Sequence, residues 1–590
     1  MKTKSLILAG LALVAAAACN KTPEETPTID GGQAYLAVEI AYANGSTTRA
    51  AGTTDEGYAY GETNETFVSG AADFFFYMGN GTYFTHSSQT ISATTGTNAN
   101  IEKIGNGVVV LKGLTSTTTP TYMAVVLNGS STLIDNLKGK NLSEAKAYVT
   151  DEYATYDATA TTPWSTFTMT SSSYKDATEN AGYYCSKLSA DMFKTTQADA
   201  EAAAAKAGTD VAVAYVERLA VKATLSAAST LTTKTIGSET VYELDSSAPA
   251  IEVYDGTTGF TTPTYYVKFN NWGLNSKTQE SYTYKHIDPT AFSNTFGSVW
   301  TWDMSADFRS YWAESVNYGL TSTSTPAAYY PVSRGNNTPV WDDTKNTLDY
   351  ISYAECAAKL GGNDYCRENT NTEAVLKANN FSSTATSALL TAQIVDANGN
   401  PVNLVIYNYK YFTEEGYYNY VLYNNSADVP YVSDGNGNYV KADKSYLEVV
   451  NDYDAYVHVQ FKATDGTNAI TYYADATGTT TKDVTDINAT WNRNLTQAEF
   501  YKDGMMYYNI PIEHLRKTGT FSKGDYTEAD YGVVRNHWYK LEVTKIANLG
   551  HPVYDKDEKI VPNDEDTKKY YVAAKINILA WKVVKQSVEL

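Results

Sequence analysis

Apolar residues along this chain recur mainly at every second position in short runs, and Gly, Asn, Asp and Pro cut the runs apart. Alternation of that period sends successive side chains to opposite faces of a pleated strand, so the pattern predicts many short strands joined by tight turns. Clear instances are Tyr122–Leu127, Val211–Val216, Ser387–Val395, Tyr456–Phe461 and Lys540–Val543. Helical spacing is scarce, with the Ala-rich stretch Gln197–Ala207 and the shorter Leu142–Val149 as its candidates. The Ser/Thr-rich stretch Ser226–Ser238 follows the strand pair Val211–Leu225 and reads as a connector. The expected architecture is mostly β, with two tandem β-sandwich domains at residues 50–228 and 229–590 and a few short helices.

The two ends of the chain carry the most specific patterns. Near the start, Leu36, Val38, Ile40 and Tyr42 fall on one side of a strand, and Tyr35, Ala37, Glu39 and Ala41 on the other. The strand ends at Asn44-Gly45, and the small polar residues Ser46–Thr54 follow, with Arg49 the first arginine of the chain. Such a segment is accessible to proteases. At the other end, Tyr570–Leu590 alternates through Val572, Ala574, Ile576, Ile578 and Ala580. It resumes after Trp581 with Val584, Gln586, Val588 and Leu590. A strand of that length leaves backbone donors and acceptors open unless it pairs. It either closes its own sheet or adds to the sheet of a neighbour.

Composition narrows the function. Met1–Lys4 is basic, Leu6–Ala18 is a short apolar run and Cys19 follows, which makes residues 1–18 a secretory signal peptide too short to span a membrane. Val14–Cys19 resembles a bacterial lipobox, with Ala16 where Leu is usual, so the Cys19 thiol is the expected acylation (palmitate) site. Residues 20–33 then form a polar tether. The 590 residues carry 66 acidic against 45 basic side chains, a net charge of −21, which repels phosphate and argues against nucleic acid as a partner. Beyond Cys19 there are Cys185, Cys356 and Cys366; the last two are near enough in sequence for one local disulfide, or are two buried thiols.

The six His are scattered, no Cys-x-x-Cys occurs, and no metal or cofactor is expected. A phosphate loop, a dinucleotide-binding glycine pattern and a Gly-x-Ser-x-Gly elbow are all absent, so no enzymatic centre is expected. Asp396–Pro401 and Asp434–Asn438 read as hairpin turns rather than calcium loops, since no Glu closes them at the twelfth position. Tyr407, Tyr409, Tyr411, Tyr418, Tyr420 and Tyr423 alternate as in a hairpin, as cross-strand packing or as a platform for stacking carbohydrate.

Several motifs in order carry a family resemblance. They are the lipoprotein start with Cys19, the first strand followed by Gly45–Ala50, Val216–Ala223, Gly504–Ile512, Val534–Tyr539, and the ending Ile578–Leu590, in which Ala580 stands where Pro is common. With these the whole chain resembles the type V pilins (fimbrillins) of Bacteroidales, most of all the shaft subunit of the short (minor) fimbriae. The resemblance implies sandwich domains of transthyretin-like, Greek-key type. It implies a precursor lipoprotein (propeptide 19–49) at the cell outer membrane, cut by an Arg-specific protease between Arg49 and Ala50. The strand bearing Leu36, Val38, Ile40 and Tyr42 then leaves, and the donor strand 570–590 of another copy, with Ile576, Ile578, Trp581, Val584, Val588 and Leu590, takes its place. Other copies, accessory fimbrillins and host or bacterial surface receptors are the implied partners, and cell adhesion the implied role. The alternatives are an accessory or tip fimbrial adhesin and a surface glycan-binding lipoprotein.

Overall fold

The structure, a computed structural model, describes residues 33–43, 62–66, 71–90, 92–95, 101–112, 114, 118–172, 185–204, 211–256, 259–287, 302–303, 306–310, 312–319, 348–378, 384–495, 497–514, 531–562, 579–580 and 582–589. The molecule is mostly β, as the period-two pattern anticipates. The first strand, β1 (Gln33–Ala43), is followed by the single-turn α1 (Thr63–Thr66) and by β2 (Ala71–Tyr77), β3 (Tyr83–Thr90), β4 (Ser92–Thr95), β5 (Ile101–Lys112) and β6 (Tyr122–Leu127). Then come β7 (Met169–Ser171), helix α2 (Gln197–Ala204) and β8 (Ala212–Arg218). The β-strands join in one sheet in the order β3, β2, β6, β7, β8, β1, β5, β4, with short strands Ser186–Lys187 and Phe193–Lys194 attached beside β6 and β1.

Strands from both ends of that order share one core. Phe74 and Phe76 of β2, Met123 and Val125 of β6, Val109 and Leu111 of β5 and Leu36 and Val38 of β1 are all buried in it. A sheet whose two ends meet over one core has folded over on itself, which is how a sandwich forms from a continuous ladder. The intervening residues of β2, Phe75 and Tyr77, are buried in a second cluster with Leu133, Ile134 and Leu137, so both faces of this strand are covered.

The second half holds β9 (Val221–Ala227), β10 (Tyr266–Asn275), β11 (Asn363–Cys366), β12 (Ser387–Val395), β13 (Met505–Pro511), β14 (His537–Lys545) and β15 (Lys582–Glu589). One sheet runs β11, β9, β14, β15, with Leu579–Ala580 beside β14 and β15. Another contains β10, β12 and β13 in sequence. Val221 and Leu225 of β9, Leu541 and Val543 of β14, Trp272 of β10, Leu390 of β12 and Tyr508 of β13 bury one shared core between these two sheets. Within the motif Gly504–Ile512, Gly504 has φ +67°, and a Cβ there would lie 2.4 Å from the Ile394 carbonyl oxygen, so the start of β13 requires glycine against β12. A further sheet, with Leu404–Tyr407, Tyr456–Phe461 and Ala498–Tyr501, is backed by α3 (Glu414–Asn424) and α4 (Val484–Asn494).

Two expectations need correction here. The chain changes sheet between Arg218 of β8 and Val221 of β9, whereas the composition change lies at Ser226–Ser238. Part of that Ser/Thr-rich stretch is the end of β9, and Thr233–Ile236 is one strand of a hairpin with Glu239–Tyr242, so polar composition marks an exposed hairpin and not a linker. The tyrosine-rich segment is a hairpin only through Leu404–Tyr407 and Lys410–Phe412. Tyr418, Tyr420 and Tyr423 lie on α3, which Thr413 caps by accepting from the Gly416 N–H, with Glu414 and Glu415 in the first turn.

The Asp-Asn-Gly segments are turns. The Asp396 carboxylate accepts from the backbone N–H groups of Asn398 and Asn400 at 2.8 and 2.9 Å, and Asp434 accepts from those of Asn436 and Asn438 at 2.8 and 3.0 Å. Hydrogen bonds from Asn400 hold Asp396, and those from Asn438 and Asn436 hold Asp434, below the usual aspartate range. A carboxylate with a depressed folded pKa adds stability above its unfolded pKa of about 3.9, and that stability is lost as pH falls through the folded value. The thermal midpoint is therefore expected to drop as pH is lowered below about 4. A variant with Asp396→Asn and Asp434→Asn, which keeps the acceptors but cannot protonate, is expected to show a shallower drop in the same acid titration by circular dichroism.

Candidate functional site: the slot of the first strand

β1 is an interior strand. On one side it runs parallel to β8, with Val38 opposite Ala212, Ile40 opposite Ala214 and Tyr42 opposite Val216. On the other it runs antiparallel to β5, from Gln33 opposite Lys112 to Ala41 opposite Ile104, with an irregularity before Ala43 opposite Ile101. Phe193–Lys194 adds a short antiparallel pairing at Tyr35 and Leu36. β5 and β4 connect to the rest of the sheet through β1, so withdrawing β1 leaves a slot between β8 and β5.

Ala34, Leu36 and Val38 are fully buried in the first core. Complete burial of Leu36 and Val38 contributes roughly 3–6 kcal/mol gross, before the ladder bonds on both sides are counted. The opposite face is covered as well. Ala37 is fully buried against Ala200 and Ala203 of α2 and against Val211. Alternation in the sequence placed Leu36 and Val38 inward but gave no sign of this helix over Ala37. Ile40 and Tyr42 are fixed by backbone register within the same strand.

The C-terminal strand is held differently. β15 runs parallel to β14, with Val584 opposite Tyr539, Gln586 opposite Leu541 and Val588 opposite Val543, at the end of its sheet. Val584 and Val588 thus share register with core positions of β14. Near its start it also pairs with Leu579–Ala580, which pairs with Trp538 of β14 as well. Of the other residues expected to act in processing or donation, Cys19, Arg49, Ala50, Ile576, Ile578, Trp581 and Leu590 lie outside the described residues.

Between the ends of these two sheets sits a buried ionic clasp that sequence reasoning missed. The Lys222 ammonium of β9 is 2.6 Å from Glu65 and 3.0 Å from Glu62, and it lies over the Trp538 ring at 4.2 Å. The Tyr365 hydroxyl donates to Glu65, and the Arg218 Nε–H donates to the Glu65 carbonyl at 2.7 Å. Burial pushes the Tyr365 hydroxyl up, and the neighbouring Glu65 carboxylate pushes it further. For Glu62, burial raises the carboxyl, but the Lys222 charge together with hydrogen bonds from Asn363 and Lys222 outweighs it, so the group lies below its ordinary value. The clasp pins residues 62–65, beyond the Arg49–Ala50 bond in sequence, to the junction of the two sheets. Glu62 and Glu65 at i and i+3 around a short helix, with Lys222 and Tyr365 far away in sequence, leave no local signature.

Cys185, Cys356 and Cys366 are all buried free thiols, so the Cys356–Cys366 disulfide is not formed. Cys366 lies in the main core of the second half, while Cys356 packs in a separate cluster with Ile351 and Leu389. Burial pushes both thiols up, which leaves them protonated and unreactive. Among the described residues, no three His, Cys, Asp or Glu side chains are placed to hold a metal, and no helix is long and apolar enough to cross a membrane.

No curated protein matches this chain. Three crystal structures superpose on parts of it at low identity. A candidate cell adhesion protein from Parabacteroides distasonis ATCC 8503 is 11% identical, with 94% of this chain and 98% of that one covered and a TM-score of 0.32. A fimbrial assembly protein from the same organism is 11% identical over 62% of this chain and 89% of that one, at a TM-score of 0.25. A candidate cell adhesion protein from Bacteroides eggerthii DSM 20697 is 10% identical over 64% and 79%, at 0.26. The TM-scores are low in all three, and no structural argument rests on them. Over residues 499–587, which hold β13, β14 and most of β15, the chain is similar to the family described as major fimbrial subunit protein type IV, fimbrillin, C-terminal.

Proposed function

We propose that this protein is a structural subunit of a cell-surface fimbrium that supports adhesion. In this reading Cys19 carries the precursor to the outer membrane as a lipoprotein. An Arg-specific protease cuts after Arg49, β1 leaves its slot, and the C-terminal strand of another copy enters. The observation that carries the reading is the position of β1 as an interior strand, with Ala34, Leu36, Ala37 and Val38 fully buried, that belongs to the segment before Arg49. An edge strand could be lost without consequence, but losing an interior one uncovers an apolar core and two open ladders, which must be refilled.

The C-terminal strand suits the vacancy. It is an end strand in its own sheet, and it already runs parallel to its neighbour as β1 does to β8. Donor and slot lie on different sheets of one chain, so the contact is head-to-tail and propagates as a filament. The fimbrillin likeness of residues 499–587 supports this reading. The finer identity, the shaft subunit of a short fimbrium, rests on the sequence resemblance. The test is the N-terminal residue of the polymer taken from the cell surface. Ala50 in SDS-resistant oligomers is the expected result; oligomers that begin at Cys19 would overturn the cleavage step.

A further inference from the structure

A cleft of about 690 Å³ opens where the hairpin Thr155–Tyr156/Trp164–Ser165 leans over the second half of the molecule. We propose that this cleft binds a neutral oligosaccharide. Its volume lies within the range of small-ligand sites, about 300–1,000 Å³. The proposal does not depend on the assembly route above.

One wall is aromatic. Tyr156 and Trp164 are cross-strand partners with ring centroids 4.7 Å apart, and Trp164 leans on Tyr365 at 5.3 Å. Tyr156 is 48% exposed, so its ring is spent on no core. The electron-rich face of such a ring attracts the weakly positive C–H face of a pyranose. The remaining wall offers uncommitted hydrogen-bonding groups. Among the described residues, no protein group pairs with the Tyr156 hydroxyl, the Trp164 indole N–H or the Thr161 and Thr162 hydroxyls. Asn64 spends its Nδ2 on the Trp164 carbonyl and Asn363 spends its own on Glu62, which leaves both amide oxygens as acceptors. Hydroxyls, amides and ring faces together match a polyol.

The charged groups at the cleft are held by the protein itself, which disfavours an ionic ligand. Glu62 is paired with Lys222, Glu355 with Lys559 at 2.7 Å and Lys277 with Asp349 at 3.6 Å, while the Asp364 carboxylate accepts from the backbone N–H groups of Leu274 and Tyr365. The net charge of −21 adds a general repulsion for anions. The buried clasp holds Glu62 and Asn64 in place, so this side of the cleft is preorganised and little ordering entropy is lost on binding.

The experiment is calorimetric titration of the full chain with maltopentaose, cellopentaose, laminaripentaose, mannopentaose and chitopentaose. At least one is expected to bind saturably. Tyr156→Ala, a change at an exposed ring, is expected to weaken that binding about tenfold or more, Tyr156→Phe to retain most of it, and Tyr409→Ala, at an exposed ring elsewhere, to leave it unchanged. No heat with any of the five, or equal binding by wild type and Tyr156→Ala, overturns the proposal. So does a response confined to a control pool of unstructured pentapeptides, which would assign the cleft to polypeptide.

Discussion

Cells that make only the Arg49→Ala variant are expected to carry full-length, lipidated monomer and no SDS-resistant ladder. The reason lies in connectivity. While the bond after Arg49 is intact, β1 is tethered to the sheet it fills, and a tethered segment acts at an effective concentration on the order of millimolar. A donor strand from another copy must displace it without that advantage. It must also match the burial of Leu36 and Val38 and the two ladders that β1 makes with β8 and β5. After the cut, a β1 that dissociates can return only by a bimolecular encounter, and the exchange can proceed. Immunoblots of unboiled surface material measure the outcome directly, and a normal ladder from the variant would remove the proposed assembly route. Fimbriae of ordinary length made from chains lacking Val584–Leu590 would remove the donor strand but leave cleavage standing.

Arg535→Ala is expected to cost about 3–5 kcal/mol, because it breaks a fully buried ion pair. The Arg535 guanidinium and the Glu368 carboxylate have no exposed side-chain surface, and Arg535 Nε donates to Glu368 at 3.0 Å. The same guanidinium donates to the carbonyls of Thr283 and Tyr282 at 3.2 and 2.6 Å. Removing it strands a buried carboxylate and two carbonyls, and this desolvation cost, not the pair's attraction, sets the magnitude. Close by, Lys285 is paired with Glu217 at 2.9 Å, and burial lowers its ammonium while Glu217 opposes the shift. The combination Arg535→Met with Glu368→Gln removes both charges and is expected to recover most of the loss. Urea unfolding followed by tryptophan fluorescence measures both variants, and a loss under about 1 kcal/mol for Arg535→Ala would show that water reaches the pair.

The parts of this fold that are legible in the sequence are its short apolar runs, whether one face is buried, as in Tyr456–Phe461, or both, as in Tyr122–Leu127. Tyr122–Leu127, Ser387–Val395 and Tyr456–Phe461 are strands with the anticipated ends, and Leu36 and Val38 point inward as their alternation requires. The Ala-rich helix is present too, over Gln197–Ala204 among the described residues. What could not be read are relations between segments distant in sequence. Ala37 looks like an outward position until α2 closes over it, and Glu65 looks like a surface acid until Lys222 and Tyr365 bury it. The α3 tyrosines were misread because alternating rings and a helix face overlap over so few residues, and only the Thr-Glu-Glu cap distinguishes them. Polar composition misled in the same way at Ser226–Ser238, where the true change of sheet occurs at the fully buried Leu219 and Ala220.

That passage from β8 to β9 has a mechanical side. β8 flanks the slot, and only Leu219 and Ala220 separate it from β9, which runs parallel to β14, as β14 does to β15. In a head-to-tail chain of such subunits, a pull on one guest strand would travel along roughly codirectional strands to the next. Hydrogen bonds strained lengthwise share the tension and resist together, whereas bonds peeled from one end give way singly. A fibre built on this path should stretch little before it ruptures.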